Sequence, residues 1–268
     1  MLDTHRPQTQ GLHGIPLRAA QHVIVVASHG DWQGELPLLW NLCSAWSAMS
    51  YSIAVLDATA AESDHNPGLQ QLLNNIHVPL WDDDDCTNWA IFPAALGLEQ
   101  LGASVLAGAT LEPIQVLGHL LENYEIILIY ANALDLATCL PGSGIEPLLP
   151  VSMRQMSIVP AYQALKHLMV KGKLHPSTVA IVDTSNPAHL LSAHRVNKSI
   201  QDCAFNFLGE QIPALIAPSE PMDGQNANAI KTLALRLLER SVSLRPDAFA
   251  IPQGHTPAFD SFPSARSH

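Results

Sequence analysis

Short runs of almost purely apolar residues recur along this chain, and stretches with helical periodicity separate them. That alternation limits the fold more than any other feature. The runs lie at 23–27, 52–56, 125–130, 147–151, 178–182 and 212–216. A strand that is apolar on both faces has to be covered on both faces, which a sheet wetted on one side does not offer. Between the runs, Leu38, Leu39, Leu42, Trp46 and Met49 fall on one helical face, and helices are expected near 67–75, 111–123, 158–170, 189–208 and 228–240. Strands alternating with helices predict an α/β fold: a mostly parallel, doubly wound sheet flanked by helices in three layers. The stretch 77–100 reads as irregular. One domain is expected over 21–242, between a flexible arm at 1–20 and a disordered tail at 243–268 rich in Pro and Ser.

A length of 268 residues with 47% hydrophobic and 14% charged residues suits a globular core. The formal charge of −11 disfavours nucleic acid and anionic membranes as electrostatic partners. Cys43, Cys86, Cys139 and Cys203 stand too far apart for a metal-binding spacing, so reduced thiols in a cytoplasmic protein are expected. The polar opening residues do not resemble a secretory signal, and no apolar run approaches the ~20 residues of a membrane span.

The first strand leads into a turn, Ser28-His29-Gly30-Asp31-Trp32-Gln33-Gly34-Glu35, and then into a helix. Strand, Gly-containing turn and helix form the layout that aims backbone N–H groups and a helix N-terminus at an anion. The turn nevertheless carries no lysine and no Ser or Thr at the magnesium position, and it places two carboxylates where phosphate charge would sit.

Four segments together resemble the MinD/ParA superfamily of ATPases with a deviant phosphate loop, and within it the FlhG (FleN, YlxH) branch. They are IVVASHGDWQGELPLLWNL, YSIAVLDA, YEIILIYANAL, and SMRQMSIVPAYQALKHLMVKGKL followed by VAIVDTSN. In the last segment Ser157, Ala161, Tyr162, Leu165 and Lys166 fall in register with the family pattern. The resemblance implies a P-loop NTPase-like fold, ATP with magnesium, and protein partners.

The same resemblance marks the departures. His29 takes the place of the signature lysine, Gly34 that of the loop lysine, and Glu35 that of the magnesium-binding Thr. Asp31 and Gln33 stand where the family has glycines, Tyr130 where it has the Walker B aspartate, and Asp183 where it has the base-reading Asn. Asp57 keeps the first acid of the second strand, while Thr59 replaces the second. The loop passes from about +2 to about −2, and two like charges 4 Å apart repel by about 4 kcal/mol even at an effective dielectric of 20. The helix dipole returns only about half a charge. The expectation is therefore no family-mode binding of magnesium ATP, no hydrolysis, no cofactor, no metal and no catalytic residue.

Asp31, Glu35 and Asp57 could gather at the sheet edge and hold a divalent cation, although Asp31 and Glu35 also suit helix capping. His29, alone in a turn, reads as an exposed polar residue. Asp82, Asp83, Asp84 and Asp85 with Trp89 form a candidate acidic-aromatic partner surface, and Trp32 is core filler, a plug of the old nucleotide pocket, or an exposed anchor. The helix near 229–240 has the apolar face of a sheet-covering helix rather than of a membrane anchor. Two readings follow. The first is a catalytically silent FlhG/MinD-like protein that binds a partner, of the flagellar or secretion apparatus or an active paralogue, with no nucleic acid and no stable membrane insertion. The second is an enzyme, either an ATPase with phosphate donors such as Arg154, Lys166 or Lys173, or a hydrolase using Asp31, Glu35 and Asp57 with a metal.

Overall fold

A computed structural model describes residues 20–76, 89–183, 187–219 and 224–244. The apolar runs become strands of one sheet: β1 (Gln21–Ser28), β2 (Ile53–Asp57), β3 (Trp89–Pro93), β4 (Ile126–Asn132), β5 (Leu148–Ser152), β6 (Ser177–Val182), β7 (Ala214–Pro218) and β8 (Val242–Leu244). Their order is β3-β2-β4-β1-β5-β6-β7, all parallel. The short β8 pairs antiparallel with the start of β1. Helices α1 (Trp32–Ala48), α2 (Leu69–Leu73), α3 (Ala95–Leu106), α4 (Pro113–Leu120), α5 (Ala133–Cys139), α6 (Gln155–Lys166), α7 (Pro187–Leu208) and α8 (Gly224–Arg240) connect them, and a π-helical turn, His167–Lys171, extends α6.

Side chains alternate across the sheet and feed two cores. Val23, Val25 and Ala27 of β1 join one core with residues of α2 to α7. Ile24 and Val26 join the other with Leu38, Leu42 and Trp46 of α1 and with Ile230, Leu233 and Leu237 of α8. This is the doubly wound three-layer fold expected from the apolar runs. Trp46, fully buried, ties the second helical layer together, because its Nε1–H donates to the Ala234 carbonyl of α8 at 3.1 Å.

Four elements escaped the periodicity argument. The stretch read as irregular holds β3 and α3. α3 is broken in pattern by Gly97, which has to be glycine because a Cβ there would come within 2.5 Å of Leu69 of α2. The same corner is pinned by Glu62, a buried carboxylate that accepts from the N–H groups of Leu96 at 2.7 Å, Gly97 at 2.7 Å and Gln70 at 3.2 Å. α5 is too short to show a period, yet it carries a side-chain cap: Asn132 accepts from the N–H groups of Leu134 and Asp135, each at 3.0 Å. Ser243 and Leu244, read as the start of a tail, lie in β8.

Trp46→Ala is expected to remove about 3–5 kcal/mol of stability, since it empties a closed core site and removes the indole hydrogen bond that joins α1 to α8. A urea unfolding midpoint measured against the parent checks this.

Candidate functional site

β1, β4 and β5 lie side by side at the centre of the sheet, and the chain departs from β1 to one side and later to the other. Such a switch point, at the C-terminal ends of the strands, is where open α/β sheets place their sites. The turn after Ser28 emerges there, and Gly30 takes a φ of +93° that favours glycine. Tyr130 on β4 stands in register with Val26 of β1 on one side and Asp57 of β2 on the other.

The centre of the site is a carboxylate from the chain itself. Glu35, in the first turn of α1, is 1% exposed. Its Oε2 accepts from the Ser28 hydroxyl at 2.7 Å and the Tyr130 hydroxyl at 2.6 Å. Its Oε1 accepts from the backbone N–H of His29 at 3.0 Å and of Asp31 at 3.3 Å. The His29 ring also reaches it, with Nε2 at 3.4 Å. Two of the turn's N–H groups, those of His29 and Asp31, are thus given to Glu35, and that of Gly30 donates to the Ser28 hydroxyl. Burying a lone carboxylate costs several kcal/mol, and hydrogen bonds to a charged group return about 1.5–3 kcal/mol each.

Of the residues at the remaining family positions, His29, Asp57 and Asp183 have local partners, and the buried Asp31 Oδ2 has none among the described residues. The His29 side chain is 2% exposed, not solvated as its place in a turn suggested. Its Nε2–H donates to the Pro150 carbonyl of β5 at 2.8 Å, and since a carbonyl only accepts, this sets the tautomer. Gly34 packs against β5 so closely that a Cβ would stand 2.9 Å from the Ser152 Cβ. A lysine there would force α1 away from the sheet. Asp57 turns to its own loop, with Oδ1 accepting from the Thr59 N–H at 2.9 Å and hydroxyl at 2.6 Å. Asp183 ends β6 with Oδ2 3.6 Å from His189 Nδ1, both side chains about half exposed.

The expected trio of Asp31, Glu35 and Asp57 is therefore not assembled: Glu35 faces Ser28 and Tyr130, and Asp57 faces Thr59. Capping is divided. Asp31 is the N-cap residue of α1 but makes no side-chain cap bond, while Glu35 folds back over the N–H groups of the turn. Trp32 is 61% exposed, so Glu35 rather than Trp32 fills the space behind the loop. Gln33 is exposed beside it. Of the phosphate donors considered, Arg154 opens α6 at this edge, whereas Lys166 closes α6 and Lys173 lies between the π-helical turn and β6, at the opposite edge. Asp82, Asp83, Asp84 and Asp85 lie outside the described residues. Trp89 is described, half-buried at the start of β3 against Trp40, with ring centroids 4.8 Å apart. The Glu35–Tyr130 pair itself was not foreseen. A hydroxyl at the strand position and an acid at the helix position, each replacing a family ligand of the same ion, was the available signal.

No family model matches the chain, and no curated protein matches it. Solved structures do match in fold. A chain of the MinC:MinD cell division protein complex of Aquifex aeolicus superposes with a TM-score of 0.53 at 19% identity, covering 83% of this chain and 98% of that one. A Cyanothece McdA–ATP complex gives 0.56 at 13% identity over 82% and 97%. Cobyrinic acid a,c-diamide synthase from Mycobacterium smegmatis with ADP and magnesium gives 0.54 at 14% identity over 84% and 100%. The fold is that of the MinD/ParA ATPases.

These structures overturn the expectation of no cofactor for this chain, since the same fold carries ATP in one of them and ADP with magnesium in another. The loop of this chain does not fit a magnesium triphosphate in the mode that the resemblance implies. The His29 and Asp31 N–H groups are engaged by Glu35, and Tyr130, at the position that the resemblance assigns to the Walker B aspartate, donates to that same carboxylate. A nucleotide on this chain has to displace Glu35 or be held by other groups.

Tyr130→Phe is expected to cost about 1–3 kcal/mol by leaving Glu35 one donor short, measured by chemical denaturation. Burial first, then the hydrogen bond to Glu35, raises the Tyr130 hydroxyl above the ordinary tyrosine range. A raised folded value means that its contribution is complete below about pH 10 and is lost as pH climbs through the folded value. Stability measured across pH 9–12, a window of about three units around the free tyrosine value, should therefore fall less steeply in Tyr130→Phe than in the parent.

Proposed function

We propose that this chain is a catalytically silent, FlhG-like relative of the MinD/ParA ATPases that acts as a regulatory binding protein. The observation carrying this reading is the Glu35–Tyr130 hydrogen bond at 2.6 Å, in which two positions that the resemblance assigns to the magnesium ion bond to each other instead. With those positions joined, the loop has no group to polarise a phosphoryl transfer, and the tethered carboxylate keeps its backbone in one shape. Regulation by such a protein comes from steady binding to a partner, or from competition with an active paralogue, rather than from a hydrolysis cycle.

The process proposed, in the cytoplasm, is the positioning or assembly of flagella or of another envelope machine. The Aquifex aeolicus relative in fold is described in complex with MinC, which supports a protein as the partner class. The working surface proposed is the turn 28–35, where Trp32 and Leu36 stand exposed beside the closed loop. Among the described residues no helix is long and apolar enough to cross a membrane.

The test is phosphate release from purified protein in magnesium ATP. The expected result is a rate equal to that of buffer, unchanged by Ser28→Ala or Tyr130→Phe. Turnover that disappears in those variants would overturn the reading. In cells that carry the gene, Trp32→Ala is expected to alter flagellar or envelope-assembly placement without lowering the protein level.

A further inference from the structure

On the sheet face opposite α2 to α7, α1 and α8 leave a groove of about 540 Å³ between their outer surfaces. Small side chains create it: Ser44, Ala45 and Ala48 on α1 and Ala227 on α8. Trp40, Met49 and Ile230 give it apolar walls. Trp40 is 61% exposed, yet it is held edge-on by Trp89, with the rings 66° apart. Its indole face is thus a fixed surface rather than a swinging one.

Two polar groups in this groove lack counterparts. Asn41 lines it, is only 5% exposed, and has a buried Nδ2 with no hydrogen-bond partner. A buried orphan donor costs about 1–3 kcal/mol, so an unsatisfied amide in a groove wall marks a place where an acceptor is missing. Lys231, on the α8 rim, makes no ion pair among the described residues, although the whole chain carries a formal charge of −11. Acidic side chains outnumber basic ones, 24 to 13, so a lysine left unpaired beside an apolar surface is a specific offer of positive charge.

The volume decides between a small ligand and a macromolecule. Sites for small molecules fall near 300–1,000 Å³, whereas a stable protein interface needs roughly 800 Å² on each side and this groove is a narrow cleft. We propose that the α1–α8 groove binds a small apolar carboxylate. The apolar body lies against Trp40, Met49 and Ile230, the carboxylate pairs with the Lys231 ammonium, and a small shift of the Asn41 side chain brings its buried amide to one acceptor. This site stands on the far side of α1 from the Glu35 pocket and does not depend on the proposed function, so either can fail alone.

The experiment is calorimetric titration of the full chain with decanoate and with 2-naphthoate, and with decanol as the uncharged comparison. Both carboxylates are expected to bind one per chain and decanol more weakly. Lys231→Glu should weaken the carboxylates by about tenfold, the worth of one charge-assisted contact, while the same change at exposed Lys171, remote from the groove, leaves them unaltered. Ser44→Trp, which fills the groove from an exposed position, should abolish binding with the melting temperature retained. Failure of both carboxylates to bind at millimolar concentration overturns the proposal. So does equal weakening by Lys171→Glu, or undiminished binding in Ser44→Trp.

Discussion

A carboxylate buried beneath a backbone turn has to be surrounded by donors, and that requirement at Glu35 organises the centre of this molecule. The donors come from two directions, the end of β1 through Ser28 and the turn N–H groups, and β4 through Tyr130, while the His29 ring packs alongside and donates to a β5 carbonyl. Each donor is placed by the parallel register of the sheet, so the pocket exists only when β1, β4 and β5 are docked in that order. In a low-dielectric site the alternative to complete satisfaction is a penalty of several kcal/mol. The loop is accordingly one of the more rigidly determined parts of the protein.

This arrangement gives physical content to the contrast with the ATP-carrying structures of the same fold. A loop that waits for phosphate keeps its N–H groups open. Here a tethered anion takes two of them, those of His29 and Asp31, at an effective concentration that a free anion must exceed to compete there. The substitutions support one another. Gly34 lets α1 sit 2.9 Å (to a notional Cβ) from Ser152, which brings the first turn of the helix close enough for Glu35 to reach back. Tyr130 supplies from β4 the hydroxyl that the carboxylate needs. Restoring one family residue alone would therefore break a bond without rebuilding a site.

Much of the fold was legible in the sequence because all-apolar strands and 3.6-residue periodicity are local signals. The runs around 23–27, 125–130 and 178–182 lie within β1, β4 and β6 or differ from them by a residue or two at an end. α3 and β3 were not legible. Gly97 looks like a helix breaker until Leu69 is seen pressed against it, and β3 is a short edge strand, WAIFP, that ends in a proline. The loop composition was legible as a departure from phosphate chemistry. His29, read as solvated, is buried by a carbonyl 121 residues away in sequence, and no local pattern announces such a contact.

The sequence by itself determined the layering of the protein and the sign of the charge in its loop, because both follow from residue type and short-range order. Only the tertiary structure decided what that charge does. Whether Asp31, Glu35 and Asp57 converge on a cation, cap a helix or turn elsewhere depends on which strands lie beside β1 and on how closely α1 approaches them. Those are long-range facts set by packing across the sheet. They turned Glu35 toward Tyr130 and Ser28, turned Asp57 toward Thr59, and left Trp32 in solvent.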